Sequence, residues 1–256
     1  MPIKTNLKSF TPRKEAFKRE IQLISGGYTN RKAFPDGKIL VYPWDNEVNE
    51  WMLENARRLT KEELMYGLLA QCCNLNGAKS DDFIAEEITL ILLVSRARLS
   101  DDRLTYKSVC PYCYKTVDET VFILGELQPV GQKTADYPGF DVVTLLDIQD
   151  VIKLRPIQVA DERGISNRKA QEKAQIGDNL LRTLMRIVSI NDSQPDRLDE
   201  LNTWFQALSP KDAKFIEDQG RLLTPHLNTT IPHVCEDPDC NREFFHTLTF
   251  DQEFFR

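Results

Sequence analysis

Two cysteine motifs, CPYC at residues 110–113 and CEDPDC at residues 235–240, are the most informative stretches of this 256-residue sequence. Each motif separates its two thiols by a gap that lets both reach the same tetrahedral Zn²⁺ ion. A closed structural zinc site needs four ligands, and the two motifs together supply Cys110, Cys113, Cys235 and Cys240. The sequence therefore predicts one structural zinc ion that is bound by both motifs.

The segments that flank the two motifs resemble each other. When the second cysteines are aligned, strand-forming residues coincide: Val117 with Phe244, Thr120 with Thr247, Val121 with Leu248 and Ile123 with Phe250. This weak repeat predicts two hairpins that face each other across one metal ion, as in a zinc ribbon. Tyr114 and Asn241 follow the second cysteines, where such turns often carry glycine because the backbone adopts a positive φ.

The separation of the motifs is unusual for a zinc ribbon. Residues 114–234, a stretch of 121, lie between them, whereas a simple ribbon has about 15 to 20 residues there. The metal ion would therefore close a long loop and tie an inserted segment to one small base.

Four other residues could bind a metal, but each has a simpler interpretation. His233 and His246 flank the second motif and could replace a cysteine, although a polar residue on a hairpin is the simpler interpretation for both. Cys72 continues an apolar repeat at helical spacing and is expected in a core. Because neighbouring side chains on a helix diverge, Cys72 and Cys73 are not expected to share a metal.

Outside the motifs, the sequence is predicted to be mainly helical. Thr60 and Glu63 have the spacing of a capping box that opens a helix. Ser209 followed by Pro210 is typical of an N-cap with proline at the first helical position. Apolar residues between positions 176 and 188, including Ile187 and Val188, recur on one helix face. The predicted fold class is α+β, mostly α, with a helical N-terminal half and a helical insertion tied to a small zinc-ribbon-like β base.

This pattern divides the chain into four parts. Residues 1–47 are expected to form an N-terminal arm and short strands, and residues 48–105 a helical region. Residues 106–127 and 228–256 together form the split zinc-binding β base. Residues 128–227 form a mainly helical insertion.

Composition and missing motifs narrow the possible functions. A net charge of −6, from 33 basic and 39 acidic residues, disfavours nonspecific nucleic-acid binding. The longest strongly apolar stretch, residues 88–94, is far shorter than the roughly 20 residues of a membrane span, and no apolar segment follows the basic N-terminus as in a secretory signal. Phosphate-binding loops, nucleophile elbows and HExxH helices are missing. A protein that is not an enzyme is therefore expected.

The order of features resembles the T4-type bacteriophage baseplate protein family, whose members include baseplate hub assembly proteins. The matching features, in chain order, are the Gly26-Gly27-Tyr28 turn, the strand and proline of residues 39–43 followed by Trp44 and Glu47, the helix residues 87–96, Tyr106 before the first cysteine pair, the β-rich residues 117–127, the pair Cys235 and Cys240, and Phe254-Phe255. The resemblance covers most of the chain. The absent glycines after the cysteine pairs and the four-residue gap of the second pair depart from the family pattern.

The resemblance implies a structural role. It implies a baseplate or hub assembly factor, or a baseplate component, that acts through contacts with other baseplate or hub proteins. Its location would be the cytoplasm of the bacterial host during assembly, or the virion baseplate. Phe254 and Phe255 are candidate partner-binding residues, although packing into the protein's own core is an alternative.

A zinc-ribbon protein that binds nucleic acid or modulates transcription is the alternative function. The two motifs carry aromatic and basic side chains, namely Tyr112, Tyr114, Lys115 and Arg242. Aromatic rings beside basic side chains can stack on bases. The negative net charge of the chain and the lack of a basic stripe elsewhere in the sequence argue against this alternative.

Overall fold

The computed structural model of the protein describes residues 18–97, 103–171, 177–195 and 197–248. Helices contain 38% of these residues and strands 23%, and all of the described strands pair in small antiparallel sheets. The expectation of a mostly α fold is therefore wrong. The fold is mixed, because short strands are spread through parts of the chain that were predicted to be helical.

The described elements are numbered in chain order. The helices are α1 (Asn46–Asn55), α2 (Lys61–Cys72), α3 (Ala85–Ala97), α4 (Ile123–Glu126), α5 (Val159–Gln171), α6 (Asp178–Arg186), α7 (Leu198–Gln206) and α8 (Pro210–Leu222). The strands are β1 (Arg19–Gln22), β2 (Lys38–Val41), β3 (Arg103–Val109), β4 (Thr116–Phe122), β5 (Pro129–Val130), β6 (Asp141–Thr144), β7 (Val151–Leu154), β8 (Ile187–Ile190), β9 (His226–Leu227), β10 (Thr230–Val234) and β11 (Glu243–Thr247). Tyr28–Asn30 and Ser80–Asp82 form short 3₁₀ turns.

The N-terminal part folds around one apolar core. Strands β1 and β2 pair with each other, and helices α1, α2 and α3 pack together beside them. The capping box predicted at the start of α2 is confirmed, because the Thr60 hydroxyl accepts from the Glu63 N–H and the Glu63 carboxylate accepts from the Thr60 N–H. Phe34, Leu69 and Ile91 are among the side chains that this core buries completely.

The insertion between the two cysteine motifs builds a second core. Strands β6, β7 and β8 form a three-stranded sheet, and apolar side chains of α6, α7 and α8 pack on it. The prediction of a helix through Ile187 and Val188 is wrong, because α6 ends at Arg186 and these residues lie in β8, which pairs with β7. Both residues are β-branched, and β-branched residues favour strands. The pairing of β7 with β8 joins segments that are far apart in the chain, so a helical periodicity in the local sequence could not reveal it.

The β base consists of two antiparallel hairpins. Strand β3 pairs with β4, and strand β10 pairs with β11. Val121, Ile231 and Leu248 connect the base to the N-terminal core by packing into it. The predicted N-terminal arm up to residue 17, and the candidate partner-binding residues Phe254 and Phe255, lie outside the described residues.

Candidate metal centre

The first cysteine motif forms a tight turn at the end of a hairpin. Val109 ends β3 and lies opposite Thr116, the first residue of β4. The N–H of Cys110 donates to the carbonyl oxygen of Lys115 at 3.1 Å, and the N–H of Tyr114 donates to the carbonyl oxygen of Cys110 at 2.9 Å. Tyr114 has a φ of 60°, which is the left-handed conformation that such a turn requires.

The second motif repeats this backbone arrangement with two extra residues between its cysteines. Val234 ends β10 opposite Glu243, the first residue of β11. The N–H of Cys235 donates to the carbonyl oxygen of Arg242 at 2.9 Å, and Asn241 has a φ of 42°. With the second cysteines aligned, Asn241 falls on Tyr114 and Arg242 on Lys115, whereas Val234 and Cys235 match Val109 and Cys110 only when the two extra residues of the second motif are skipped. The repeat predicted from the sequence is therefore present in the backbone.

The two turns bring four sulfur atoms into one cluster. The Sγ atoms of Cys110, Cys113, Cys235 and Cys240 all lie within 4.8 Å of one another. The Sγ atoms of Cys110 and Cys240 are 3.8 Å apart, and those of Cys113 and Cys235 are 3.5 Å apart. Four thiolates on a tetrahedral zinc ion, with Zn–S bonds of about 2.3 Å, have their sulfur atoms about 3.8 Å apart. The cluster therefore has the size of a four-sulfur metal site, whereas a disulfide needs about 2.05 Å.

The cluster is closed on one side and reaches solvent on the other. Cys110 and Cys235 are buried against Phe244, Cys240 is half-buried, and Cys113 is exposed. Four protein ligands fill a tetrahedral coordination sphere and leave no open position for a substrate. This donor set suits a structural metal ion.

The thiols differ in how readily they lose their protons. Burial opposes ionisation of Cys110, but hydrogen bonds from the N–H groups of Cys113 and Tyr112 and from neighbouring thiols lower its pKa to about 7. Burial is the main cause of the raised pKa of Cys240. Because metal ligation requires thiolates, a metal ion bound here must displace protons from the cluster.

The two candidate histidines face an aromatic cluster instead of the sulfur atoms. Tyr106 lies between them, with its hydroxyl 2.5 Å from Nε2 of His233 and its ring stacked on His246 at 5.0 Å between centroids. Burial and the charge of Glu119 help raise the pKa of Tyr106 to about 12, so its hydroxyl stays protonated at neutral pH. Nδ1 of His233 lies 3.4 Å from Oε1 of Glu119. Within the described chain, the group with metal-binding geometry contains only the four cysteines.

The surface around the cluster carries both aromatic and acidic side chains. Tyr114 is 79% exposed and Tyr112 is 51% exposed, and the guanidinium of Arg242 lies 5.0 Å from the centroid of the Tyr112 ring. The Lys115 ammonium lies 3.8 Å from Oδ2 of Asp237 on the opposite turn. This pair joins the two turns, although exposed ion pairs stabilise proteins by only about 0–1 kcal/mol.

The sequence predicted that the four cysteines lie together, and the structure brings them together. Two features that involve charged side chains were not predicted. Cys72 is buried in α2, as expected of a core residue, and Cys73, at the end of that helix, is buried as well. The contact between Glu119 and His233 was not predicted, because it joins residues that are far apart in the chain. A cavity lined by Arg182, Arg186 and other residues was also missed, although the four-residue spacing of these two arginines is a signal visible in the sequence.

The comparisons with protein-family models, curated proteins and solved structures gave no match for this chain. What the site can do is therefore judged from its own chemistry. In the part of the chain that the structure describes, no helix combines the length and the apolar character that crossing a bilayer demands.

Proposed function

We propose that this protein is a non-enzymatic assembly factor or component of a phage tail baseplate or its hub, that it acts through contacts with other baseplate proteins, and that a structural zinc ion holds its β base together. The observation that carries the proposal is the convergence of four cysteine sulfur atoms from two distant hairpins. The phage role rests on the order of features along the sequence. The two parts of the proposal need separate tests.

The donor set supports zinc over other metal ions. Tetrahedral sites with four thiolates bind zinc or iron, and closed four-cysteine sites are the usual form of structural zinc. The site joins segments on either side of the whole insertion, because Cys113 and Cys235 are 122 positions apart. A metal ion there fixes where the insertion leaves the base and where it returns. A rigid base of this kind suits a protein that presents a surface to partners.

Elemental analysis of the purified full chain tests the metal centre. We expect one zinc ion per chain in the wild type and in Cys72→Ala, and less than a tenth of that in Cys110→Ser and Cys240→Ser. Cys72 is a matched control because it is a buried cysteine outside the cluster. Equal zinc content in all four proteins would refute the ligand assignment. Stoichiometric iron with visible thiolate absorption would refute zinc.

Phage infection tests the functional role. Loss of the chain from the encoding phage should stop tail assembly before complete baseplates form, and the wild-type chain supplied in trans should restore it. Mass spectrometry of purified virions then distinguishes a resident component, which is present, from an assembly factor, which is absent. Normal tails in the absence of the chain would contradict the proposal.

Nucleic-acid binding is the second candidate, and the exposed aromatic rings of Tyr112 and Tyr114 favour it. Bases could stack on these rings beside Lys115 and Arg242. Glu236 and Asp239, however, are exposed on the second turn, and their charges repel phosphates. Binding to single-stranded DNA that weakens steeply with salt, and that Tyr114→Ala reduces at least tenfold, would support this candidate. No binding at low salt would refute it.

A further inference from the structure

A cavity with an excess of positive charge lies in the insertion. Its volume is about 400 Å³, and it lies between helices α6 and α8. The lining side chains are Asn179, Arg182, Thr183, Arg186, Glu217 and Arg221. Residues three and four positions apart share one face of a helix, so the spacing along α6 and α8 turns these side chains towards the same space.

The positive charges of the three arginines in this cavity are neutralised to different extents. Arg182 and Arg186 are one helical turn apart, where like charges destabilise a helix. Glu162 of α5 neutralises Arg182 through a two-pronged ion pair, with Nε to Oε1 at 2.8 Å and Nη2 to Oε2 at 2.9 Å. Arg182 therefore already has its counterion, and the other two arginines decide what the cavity can bind.

Arg186 and Arg221 form no ion pair with any described residue. Nη1 of Arg186 donates to the hydroxyl of Thr224 at 2.5 Å, which satisfies one N–H group but supplies no negative charge. Burial lowers the pKa of Arg186; the charge of Glu162 opposes this effect, while the charges of Arg182 and Arg221 add to it. The half-buried Arg186 guanidinium thus lies in a field that favours an anion beside it.

We propose that this cavity is a binding site for a phosphate group, either free inorganic phosphate or the phosphate of a small molecule. A guanidinium presents a planar fork of N–H donors that matches phosphate oxygens, and a phosphate of charge near −2 can satisfy Arg186 and Arg221 together. The volume is in the range of small-ligand sites, which is about 300 to 1,000 Å³. The amide of Asn179 lines the same space and offers a neutral hydrogen-bonding group.

Among the described residues that line the cavity, Glu217 is the one carboxylate. Its negative charge repels a phosphate anion that binds among the arginines. Removing that charge should therefore tighten binding, whereas removing the charge of Arg221 should weaken it. Opposite effects from two residues one turn apart on α8 would not arise from general damage to the fold.

The test uses the full chain and calorimetric titration with inorganic phosphate and with ribose 5-phosphate, each at matched ionic strength in sodium chloride. We expect saturable binding of at least one probe, at least tenfold weaker binding in Arg221→Gln and severalfold tighter binding in Glu217→Gln. Arg221 is exposed, so its variant should unfold at the wild-type temperature without phosphate. The tighter probe identifies the source of the phosphate group. Binding of acetate as tight as that of phosphate, or equal affinities in all three proteins, would overturn the proposal.

Discussion

The β base and the N-terminal core hold their chain segments together by different means. Among the described residues, the buried apolar cluster at the cysteine turns contains Cys110, Cys235 and Phe244, with Cys240 packed beside it. The N-terminal core buries a continuous set of aliphatic and aromatic side chains from β1, β2 and the first three helices. A core of that size can be stabilised by apolar burial alone, whereas the two turns bury too little surface to do the same.

Of these two regions, the β base is the one that needs a metal ion. Each turn has its own hydrogen bonds, but few apolar contacts bring one turn to the other. Four sulfur–metal bonds would supply that attraction, so metal binding and closure of the base would occur together. The N-terminal core should depend on side-chain volume instead, and the two regions should respond differently to the same kind of perturbation.

The largest expected effect is the loss of the base when a ligand is removed. In Cys110→Ser, the amide hydrogens of the two turns, including those of residue 110, Tyr114 and Cys235, should lose their protection against hydrogen exchange. Apparent binding free energies of structural zinc in small peptides are about 10–16 kcal/mol, so removing one ligand forfeits several kcal/mol. Amides of α2 and α3 should keep their protection. Uniform loss of protection across both regions would show that the N-terminal core depends on the metal site as much as the base does.

The second-largest expected effect comes from a substitution in the N-terminal core instead of the base. Leu69 is completely buried in α2, and Leu69→Ala should lower the free energy of unfolding by about 2–5 kcal/mol through lost burial and a cavity. Urea unfolding followed by tryptophan fluorescence measures this change. The variant should still bind one metal ion per chain in the absence of urea. Loss of metal from the folded variant would mean that the N-terminal core and the base are one cooperative unit.

A smaller effect concerns a charge inside the N-terminal core. Glu87 is completely buried and accepts hydrogen bonds from the N–H and hydroxyl of Ser25, at 2.9 and 2.5 Å, and from the N–H of Ile84 at 3.3 Å. Burial raises the pKa of Glu87, and these hydrogen bonds oppose the rise. Glu87→Gln should cost about 1–3 kcal/mol, because an amide cannot accept from both sides and leaves a buried donor unsatisfied.

The pH dependence of that variant has a definite sign. The folded state holds the Glu87 proton to higher pH than the unfolded state, so this contribution to stability is complete below the ordinary pKa of about 4.3 and is lost as the pH rises through the raised value. The difference in unfolding free energy between wild type and Glu87→Gln should therefore narrow with rising pH. Chemical unfolding at a series of pH values measures it, and a widening difference would contradict this reasoning.

The sequence predicted local features better than distant pairings. The cysteine turns and the caps at Thr60 and Ser209 depend on residues within a few positions, and the structure contains all of them. The strands β6, β7 and β8 are four residues long, too short for a clear alternation, and they are stabilised by pairing across the insertion and by the helices that pack on them. For that reason Ile187 and Val188 matched a helical pattern that the fold does not use.

The smallest expected effect lies within the base and concerns the two residues that replace glycine. Tyr114 and Asn241 both adopt positive φ, a conformation that costs most residues about 1–2 kcal/mol but that asparagine visits more readily. Tyr114→Gly should relieve that strain and stabilise the metal-bound base by about 1 kcal/mol, after the entropic cost of glycine in the unfolded chain is subtracted. Asn241→Gly should change the stability of the metal-bound base by only a few tenths of a kcal/mol. This variant is therefore the matched control at the equivalent position. Competition for the metal with a chromophoric chelator measures both variants. Because Tyr114 is exposed and its ring contributes little burial, equal effects at the two positions would mean that backbone strain does not limit metal affinity.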